Sequence, residues 1–533
     1  MVIERIIIKN YKSFKDFDLS FTNNCNVIVG NNEAGKSTLL EAINLVLTGQ
    51  LNGRSISYEL SPFLFNKSVV DDYIEKLRTK EKVKPPEILI ELYLQDSPEF
   101  ARFKGNNNSN RENKVGLFIQ IQFNPEYTDE YEIYISNPDV IKTVPTEYFE
   151  VKWYSFAHNK ITCRSLPIKT TLVDTTSVRL NNGTDYYIQK AIDDILNKKE
   201  RAELSLFYRR LKESFSEDPS IKTLNDRLRA NKNIFSHKDL TVSIDISQKT
   251  NWDSSLTSYL DDIPFTYIGK GDQNVLKMIL ALERKKAKES NVILIEEPEN
   301  HLSFSTMHML ISMISEKCSD KQLIIVTHNT FVLNKIGLEK LILLSVEKKW
   351  TTLKDLLETT YEYFRKLPGY DTLRLVVARK CILVEGPSDE LFIQKAYMQK
   401  HNKLPIENGI DIISVRGLSF KRFLDIAKAL GNSVTVVTDN DGDVTKVSKK
   451  FEDYNNIPNI KICFDGDETA PTLEPQIVKY NSLDLLNRVL KTAHSSVDEL
   501  SKYMVANKTD CALRLFDASE PIIIPNYIQD AIE

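Results

Sequence analysis

The stretch Gly30-Asn31-Asn32-Glu33-Ala34-Gly35-Lys36-Ser37 constrains this chain more than any other part of it. It meets the pattern G-x-x-x-x-G-K-[ST] and stands between two apolar segments. Before it comes the β-branched run Val27-Ile28-Val29; after it Leu39, Leu40, Ile43, Val46 and Leu47 recur at helical spacing. Strand, glycine loop and helix in that order make a phosphate cradle. The loop N–H groups curl around the anion, and the helix turns the positive end of its dipole toward it. On this reading Gly30, Asn31, Asn32, Gly35, Lys36, Ser37 and Thr38 bind ATP, with Lys36 reaching the β- and γ-phosphates and Ser37 holding Mg²⁺. A glycine turn matching by chance is the competing reading, and the flanking strand and helix count against it.

The parts an ATPase needs follow in order. The run Val292-Ile293-Leu294-Ile295 delivers Glu296 and Glu297. An apolar strand ending in two acids suits a metal-shell ligand, Glu296, and a group polarising the attacking water, Glu297. The next apolar run, Leu323-Ile324-Ile325-Val326, delivers His328 where a γ-phosphate sensor would stand. Upstream, Gly269-Lys270-Gly271-Asp272-Gln273 leads into a helix over Val275–Leu282. Its position matches the signature loop of ABC-type ATPases, in which Gly269, Gly271 and Gln273 would meet the nucleotide of a second subunit. That resemblance implies a head-to-head dimer. Lys9-Asn10-Tyr11-Lys12-Ser13-Phe14 resembles the opening of the chromosome-structure and recombination-repair branch, although no heptad run here could build that branch's long coiled coil.

A second set of acids follows residue 380. The strand-like Cys381-Ile382-Leu383-Val384 ends in Glu385, with Asp389 four residues on; Val434-Thr435-Val436-Val437 ends in Asp439, Asp441 and Asp443. Carboxylates at C-terminal strand ends mark the usual site of open α/β sheets and suit hard cations such as Mg²⁺ or Mn²⁺. An EF-hand is excluded, because Val444 stands where glycine is needed and Lys450 where the bidentate glutamate belongs. An acidic surface turn is the bland alternative for either cluster taken alone.

Strand–Glu-Gly followed by strand–Asp-x-Asp resembles the Toprim fold. With Ser414-Val415-Arg416-Gly417, Thr472-Leu473-Glu474 and Asn507-Lys508-Thr509-Asp510, the chain resembles the OLD (overcoming lysogenization defect) family of ATP-dependent nucleases. That family includes the nuclease subunit of the Gabija anti-phage system and members paired with a helicase-like protein or a retron reverse transcriptase with its RNA and DNA. The resemblance implies a two-metal DNA endonuclease, with Glu385, Asp389, Asp439, Asp441 and Glu474 as metal ligands and Asp443 as a further one. It also implies that Lys508 stabilises the transition-state charge. Lys421-Arg422 and Lys446-Val447-Ser448-Lys449-Lys450 flank the site and suit phosphates, against the alternative of solvated helix faces.

The expected class is therefore α/β: an ABC-type P-loop ATPase with a helical insertion, then a parallel-sheet Toprim domain. The 533 residues exceed one ordinary core. The ATPase is expected over 1–184 and 251–345 and the insertion, read as dimerising, over 185–250. A linker follows over 346–369 and Toprim over 370–533. Strands are expected over 85–180, Tyr131-Glu132-Ile133-Tyr134-Ile135 among them, and Ile188, Ala191, Ile192, Ile195 and Leu196 mark an amphipathic face. A net charge of −4 neither announces nor excludes a nucleic-acid partner. No apolar run spans a bilayer, the amino terminus has no signal pattern, and the six cysteines form no Cys-x-x-Cys pair, which together suggest a cytoplasmic protein with reduced thiols. Two rival functions remain open: a repair-type ATPase whose Toprim domain binds DNA without cutting, and a regulatory subunit that holds or releases a partner.

Overall fold

The structure is a computed structural model. It describes residues 2–21, 24–30, 33–81, 83–163, 165–174, 180–181, 184–185, 192, 195–230, 240–245, 252, 256–345, 347–353, 358–366, 372–378, 380–417 and 419–533. Asn31 and Asn32 of the loop, Ile188 and Ala191 of the expected amphipathic face, and residues 346, 354–357 and 367–369 of the expected linker lie outside the described residues. The chain divides into two compact units, Met1–Cys25 with Ser37–Val326 and Asn26–Lys36 with Thr327–Glu533.

In the first unit an antiparallel sheet runs Phe14–Ser20, Ile3–Tyr11, Ile88–Leu94 and Lys114–Phe123, and Phe149–Ser155 pairs with the last of these. Alternation sets its inner face: Ile6, Ile8, Ile90, Leu92, Leu117 and Ile119 are fully buried. The helix Lys36–Thr48 is tied to this sheet by the Trp153 indole, which donates to the Val46 carbonyl at 3.0 Å. Gly49 turns left-handed directly under that ring, where a Cβ would come within 2.5 Å of it. Three parallel strands, Thr170–Asp174, Val292–Glu296 and Gln322–Val326, form the unit's second layer, in a register that sets Asp174 beside Glu296 and Glu296 beside Val326. The Gln322 amide pins the start of the chain, accepting from the Val2 and Ile3 N–H groups and donating to the Ile3 carbonyl.

Two helices, Lys198–Glu217 and Pro219–Ala230, stand in the expected insertion. Asn197 and Glu200 close a capping box at the first. The expected strand over Tyr131–Ile135 is instead the helix Thr128–Ile135. Asp129 and Glu130 favour its N-terminus, only Tyr131 is buried, and Ile133 is 75% exposed, so the run has no face for a sheet to cover. The place beside Lys114–Phe123 belongs to Phe149–Ser155.

In the second unit Val27, Ile28 and Val29 lie parallel to Leu341–Leu344, which pairs antiparallel with Trp350–Thr352. The four-stranded parallel sheet follows, in the order Ile410–Ser414, Lys380–Val384, Ser433–Val437, Ile460–Cys463. The chain adds Ile410–Ser414 on one side of Lys380–Val384 and Ser433–Val437 on the other, and the crevice at the C-terminal ends of strands where the order switches in this way is where such sheets hold ligands. Phe392, Ile393, Leu486, Leu500 and Met504 pack one helical layer of this unit. Among the described residues no helix is long and apolar enough to cross a membrane.

Candidate functional site

The glycine loop is shaped by close approach. A Cβ on Gly30 would meet the Leu344 carbonyl at 2.2 Å, and Gly35 holds φ of 100°, so both positions need glycine. Lys36 is buried, and its ammonium donates to the Gly30 carbonyl at 2.8 Å, inside the curl of its own loop. In the other unit Ser37 hydrogen-bonds the Glu296 carboxyl. Burial pushes that carboxyl above its ordinary range; Ser37 pulls it back, while Asp174, Glu297 and Glu41 push it further up. Ser37, Glu41, Asp174 and Glu296 line a cavity of about 460 Å³ with Lys12, Thr38, Arg284 and Lys286. No motif in the sequence marks Asp174 or Glu41. Asp174's register partnership with Glu296 was the signal for it, once the strands are paired.

Glu297 takes left-handed backbone at φ of 43°. Its N–H donates to the Val326 carbonyl at 2.8 Å, and its carboxylate accepts from Asn300 at 2.9 Å. His328 is exposed just beyond Thr327, whose N–H donates to the Ile28 carbonyl at 3.1 Å. Gly269 caps the helix Lys270–Glu283. Gly271 lets that helix approach the His301 carbonyl, which a Cβ would meet at 2.6 Å, and Asn274 donates to the Asn300 carbonyl at 2.8 Å. Gln273 folds its own loop, donating to the Phe265 and Ile268 carbonyls at 2.9 Å each.

At the parallel sheet the structure gathers Glu385, Asp389, Asp439, Glu474 and Lys508. Glu385 accepts from the Thr438 hydroxyl at 2.5 Å and the Asp439 N–H at 3.2 Å. Asp389, in the first turn of Pro387–His401, accepts from the Gly386 N–H at 3.0 Å. Glu474 is 3% exposed and accepts from Thr472 at 2.9 Å; the Lys508 ammonium lies 3.2 Å from it. Burial, then the charges of Asp389, Glu385 and Glu474, push Asp439 up to about 8. Burial first, with Glu385 and Glu474, pushes Asp389 up to about 6 against the pull of the Gly386 N–H and Lys508. Burial alone would lower Lys508; Glu474, Asp439 and Asp389 more than offset it and keep the ammonium charged.

Asp441 and Asp443 stand apart from this group. Asp441 is exposed at the rim on left-handed backbone, and Asp443 caps the helix Val444–Lys450 by accepting from the Lys446 N–H at 2.9 Å. Between Asp439 and Asp441, fully buried Asn440 donates to the Asp465 and Asp467 carbonyls and so fixes which way its neighbours face. Thr438, Asn440 and Thr472, which orient the acids, had no motif to reveal them. Neither did buried Tyr527, whose hydroxyl is held far above its ordinary range by burial and then by Asp439 and Asp389.

Carboxylates crowded as Asp389 and Asp439 are, each pushed up by burial and neighbouring acids, are stabilised by a cation, and hard oxygen donors fit Mg²⁺ or Mn²⁺. Among the described residues no three acidic, histidine or cysteine side chains are close enough to enclose an ion alone. Water and phosphate oxygens would supply its other ligands, as Mg²⁺ commonly requires. The flanking cations expected to meet phosphates are partly engaged elsewhere. Arg422 donates to Thr359 and Thr360, Lys421 faces Asp453 at 3.8 Å, and Lys450 lies over the Phe420 and Phe451 rings.

Comparison with known proteins adds two family matches: an AAA ATPase domain over residues 1–333 and an overcoming lysogenization defect protein-like TOPRIM domain over residues 377–441. The DNA replication and repair protein RecF of Acetivibrio thermocellus is 38% identical over 60 residues, 11% of this chain and 16% of that protein. RecF of Clostridium beijerinckii is 23% identical over 210 residues, 37% of this chain and 54% of that protein. The chain thus spans about half or less of these relatives' length. Among solved structures, an SmcHead bound to the C-winged helix domain of ScpA aligns at 12% identity and a TM-score of 0.33, covering 67% of this chain and 99% of that one. The SMC head domain from Thermotoga maritima aligns at 13% and 0.29, covering 64% and 94%.

Proposed function

This chain belongs to the AAA ATPase domain family and carries an overcoming lysogenization defect-like TOPRIM domain, and on that premise we propose that it is an ATP-regulated, divalent-metal-dependent DNA endonuclease. The observation that carries the reading is Asp439, pushed up to about 8 among Asp389, Glu385 and Glu474 with Lys508 at the edge of the group. Structural acids on a sheet edge are solvated or paired one to one; an acid crowded by three others is suited to sharing a cation.

Glu385, Asp389, Asp439 and Glu474 would hold Mg²⁺ or Mn²⁺, with Asp441 offered from the rim. Bound there, the ions would supply an activated water and neutralise the leaving oxygen. Lys508 holds a positive charge at the same edge, where the transition state is most anionic. Thr438 and Thr472 fix the carboxylates by donating to Glu385 and Glu474. In the ATPase, Lys36, Ser37 and Glu296 would hold ATP and its Mg²⁺, Glu297 would polarise water and His328 would meet the γ-phosphate. Gly269 and Gly271 let the signature helix present its loop to a second copy.

Dimerisation would also use the insertion, where Leu204, Phe207, Leu211 and Phe215 repeat along one side of Lys198–Glu217 and are all exposed. By resemblance the biological setting is anti-phage defence, alone or beside a helicase-like protein or a retron reverse transcriptase with its nucleic acids. The second reading, a repair-type ATPase whose TOPRIM domain binds DNA without cutting, is favoured by the Lys508–Glu474 pair, which already neutralises one of the acids. A plasmid-nicking assay with Mg²⁺ or Mn²⁺ separates the two. Cleavage by the natural chain that Asp439→Ala abolishes, with ATP binding retained, supports the nuclease; cleavage that survives this substitution removes the site from the reaction.

A further inference from the structure

We propose that Arg422 is a positioning residue that couples nucleotide binding to the carboxylate centre, by clamping the helix Glu358–Lys366 against the helix Phe420–Leu430. The proposal rests on the nuclease reading above.

The loop strand, His328 and the parallel sheet belong to one compact unit. From Thr327, bonded to the Ile28 carbonyl, the chain passes His328 directly into the helix Thr330–Ile336, anchored by fully buried Val332 and Leu333. That helix packs on both Glu358–Lys366 and Thr372–Val377. Part of the stretch expected as a linker, Glu358–Lys366, is therefore a helix in contact with the element that follows His328.

The same helix is held by a polar network. The Arg422 guanidinium donates to the Thr359 and Thr360 hydroxyls, both at 2.8 Å, and lies 5.8 Å from the Tyr363 ring centre. Thr360, fully buried, donates to Asp425 at 3.0 Å, and the Tyr454 hydroxyl donates to the other Asp425 oxygen at 2.6 Å. The Thr360 hydroxyl both accepts and donates, and both Asp425 oxygens are bonded, so these contacts favour one seating of the helix. Both bonds leave the one terminal nitrogen while the planar guanidinium lies near the Tyr363 ring, and a lysine, with no planar group at its end, does not reproduce that pair of contacts.

The helix carrying Arg422 and Asp425 is tied in turn to the acids. In the loop before it, the Gly417 N–H donates to the Glu385 carbonyl at 3.2 Å and the Val415 N–H to the Val384 carbonyl at 2.8 Å. A displacement at His328 thus has a continuous route to the backbone of Glu385 through packed helices and the Arg422 contacts. An arginine serving only to bind DNA would not direct its donors at neutral hydroxyls inside its own unit.

The test is hydrogen exchange on the full chain with and without a non-hydrolysable ATP analogue, alongside the ratio of plasmid cleavage with and without nucleotide. In the natural chain the analogue should change exchange across 358–366 and 420–430. In Arg422→Lys and Thr360→Val that change should vanish, and the cleavage ratio should move toward one from the fivefold or greater effect typical of coupled sites, about 1–3 kcal/mol. Analogue and Mn²⁺ binding should persist in both variants. Either helix pair indifferent to nucleotide in the natural chain, or variants that merely melt earlier while keeping the natural nucleotide response, would overturn the proposal. A natural chain that never cleaves DNA but shows the exchange response refutes the nuclease reading and leaves the coupling standing.

Discussion

Asp439 fixes the sign of a pH dependence. Its folded acidity of about 8 and that of Asp389 at about 6 both lie above the ordinary carboxylate value of about 4. Between those limits the metal-free fold binds more protons than the unfolded chain, so stability falls as pH rises from about 4 to about 8. Thermal melts in chelator should show this loss, and Asp439→Asn should flatten it and raise the melting temperature at pH 8. Divalent metal competes with the same protons, so Mn²⁺ affinity should rise across that window. Lys508 makes a separate prediction. Lys508→Met should slow cleavage on the order of 100-fold, as loss of a transition-state cation does, while calorimetric Mn²⁺ binding persists.

At the scale of elements, the signature helix and the insertion give opposite kinds of test. Gly271 lies against the backbone carbonyl of His301, which cannot swing aside. Gly271→Ala should therefore cost about 1–3 kcal/mol in denaturant unfolding and disturb ATP turnover. Leu211 and Phe207 face solvent on a helix that needs no change to accept a charge. Phe207→Lys with Leu211→Lys should leave the melting temperature near that of the natural chain and, for the dimer proposed above, shift light-scattering mass toward monomer. An unchanged mass would remove this helix from the dimer interface. Element type was mostly legible because apolar period decides it: the β-branched runs became parallel strands, and the run after Lys36 became a helix. Tyr131–Ile135 is ambiguous in sequence because four apolar residues in five satisfy a strand and a helix turn equally, and only the neighbouring sheet chooses.

For the whole molecule, ATP and metal should act as separable ligands. An ATP analogue at 100 times its dissociation constant stabilises by about 2.7 kcal/mol. Lys36→Ala should lose that gain in a melt, and Asp439→Ala should keep it. By itself the sequence determined the ATPase-then-TOPRIM order and most of the acids, because phosphate loops and strand-end carboxylates are local patterns whose chemistry depends on near neighbours. Tertiary structure alone decided which acids meet. Glu385, Asp439, Glu474 and Lys508 lie on separate elements, and the sheet order brings them to one edge while leaving Asp441 at the rim and making Asp443 a helix cap. It likewise turned Arg422 from a surface cation into an internal clamp, because a side chain's partners depend on folding that brings distant segments together.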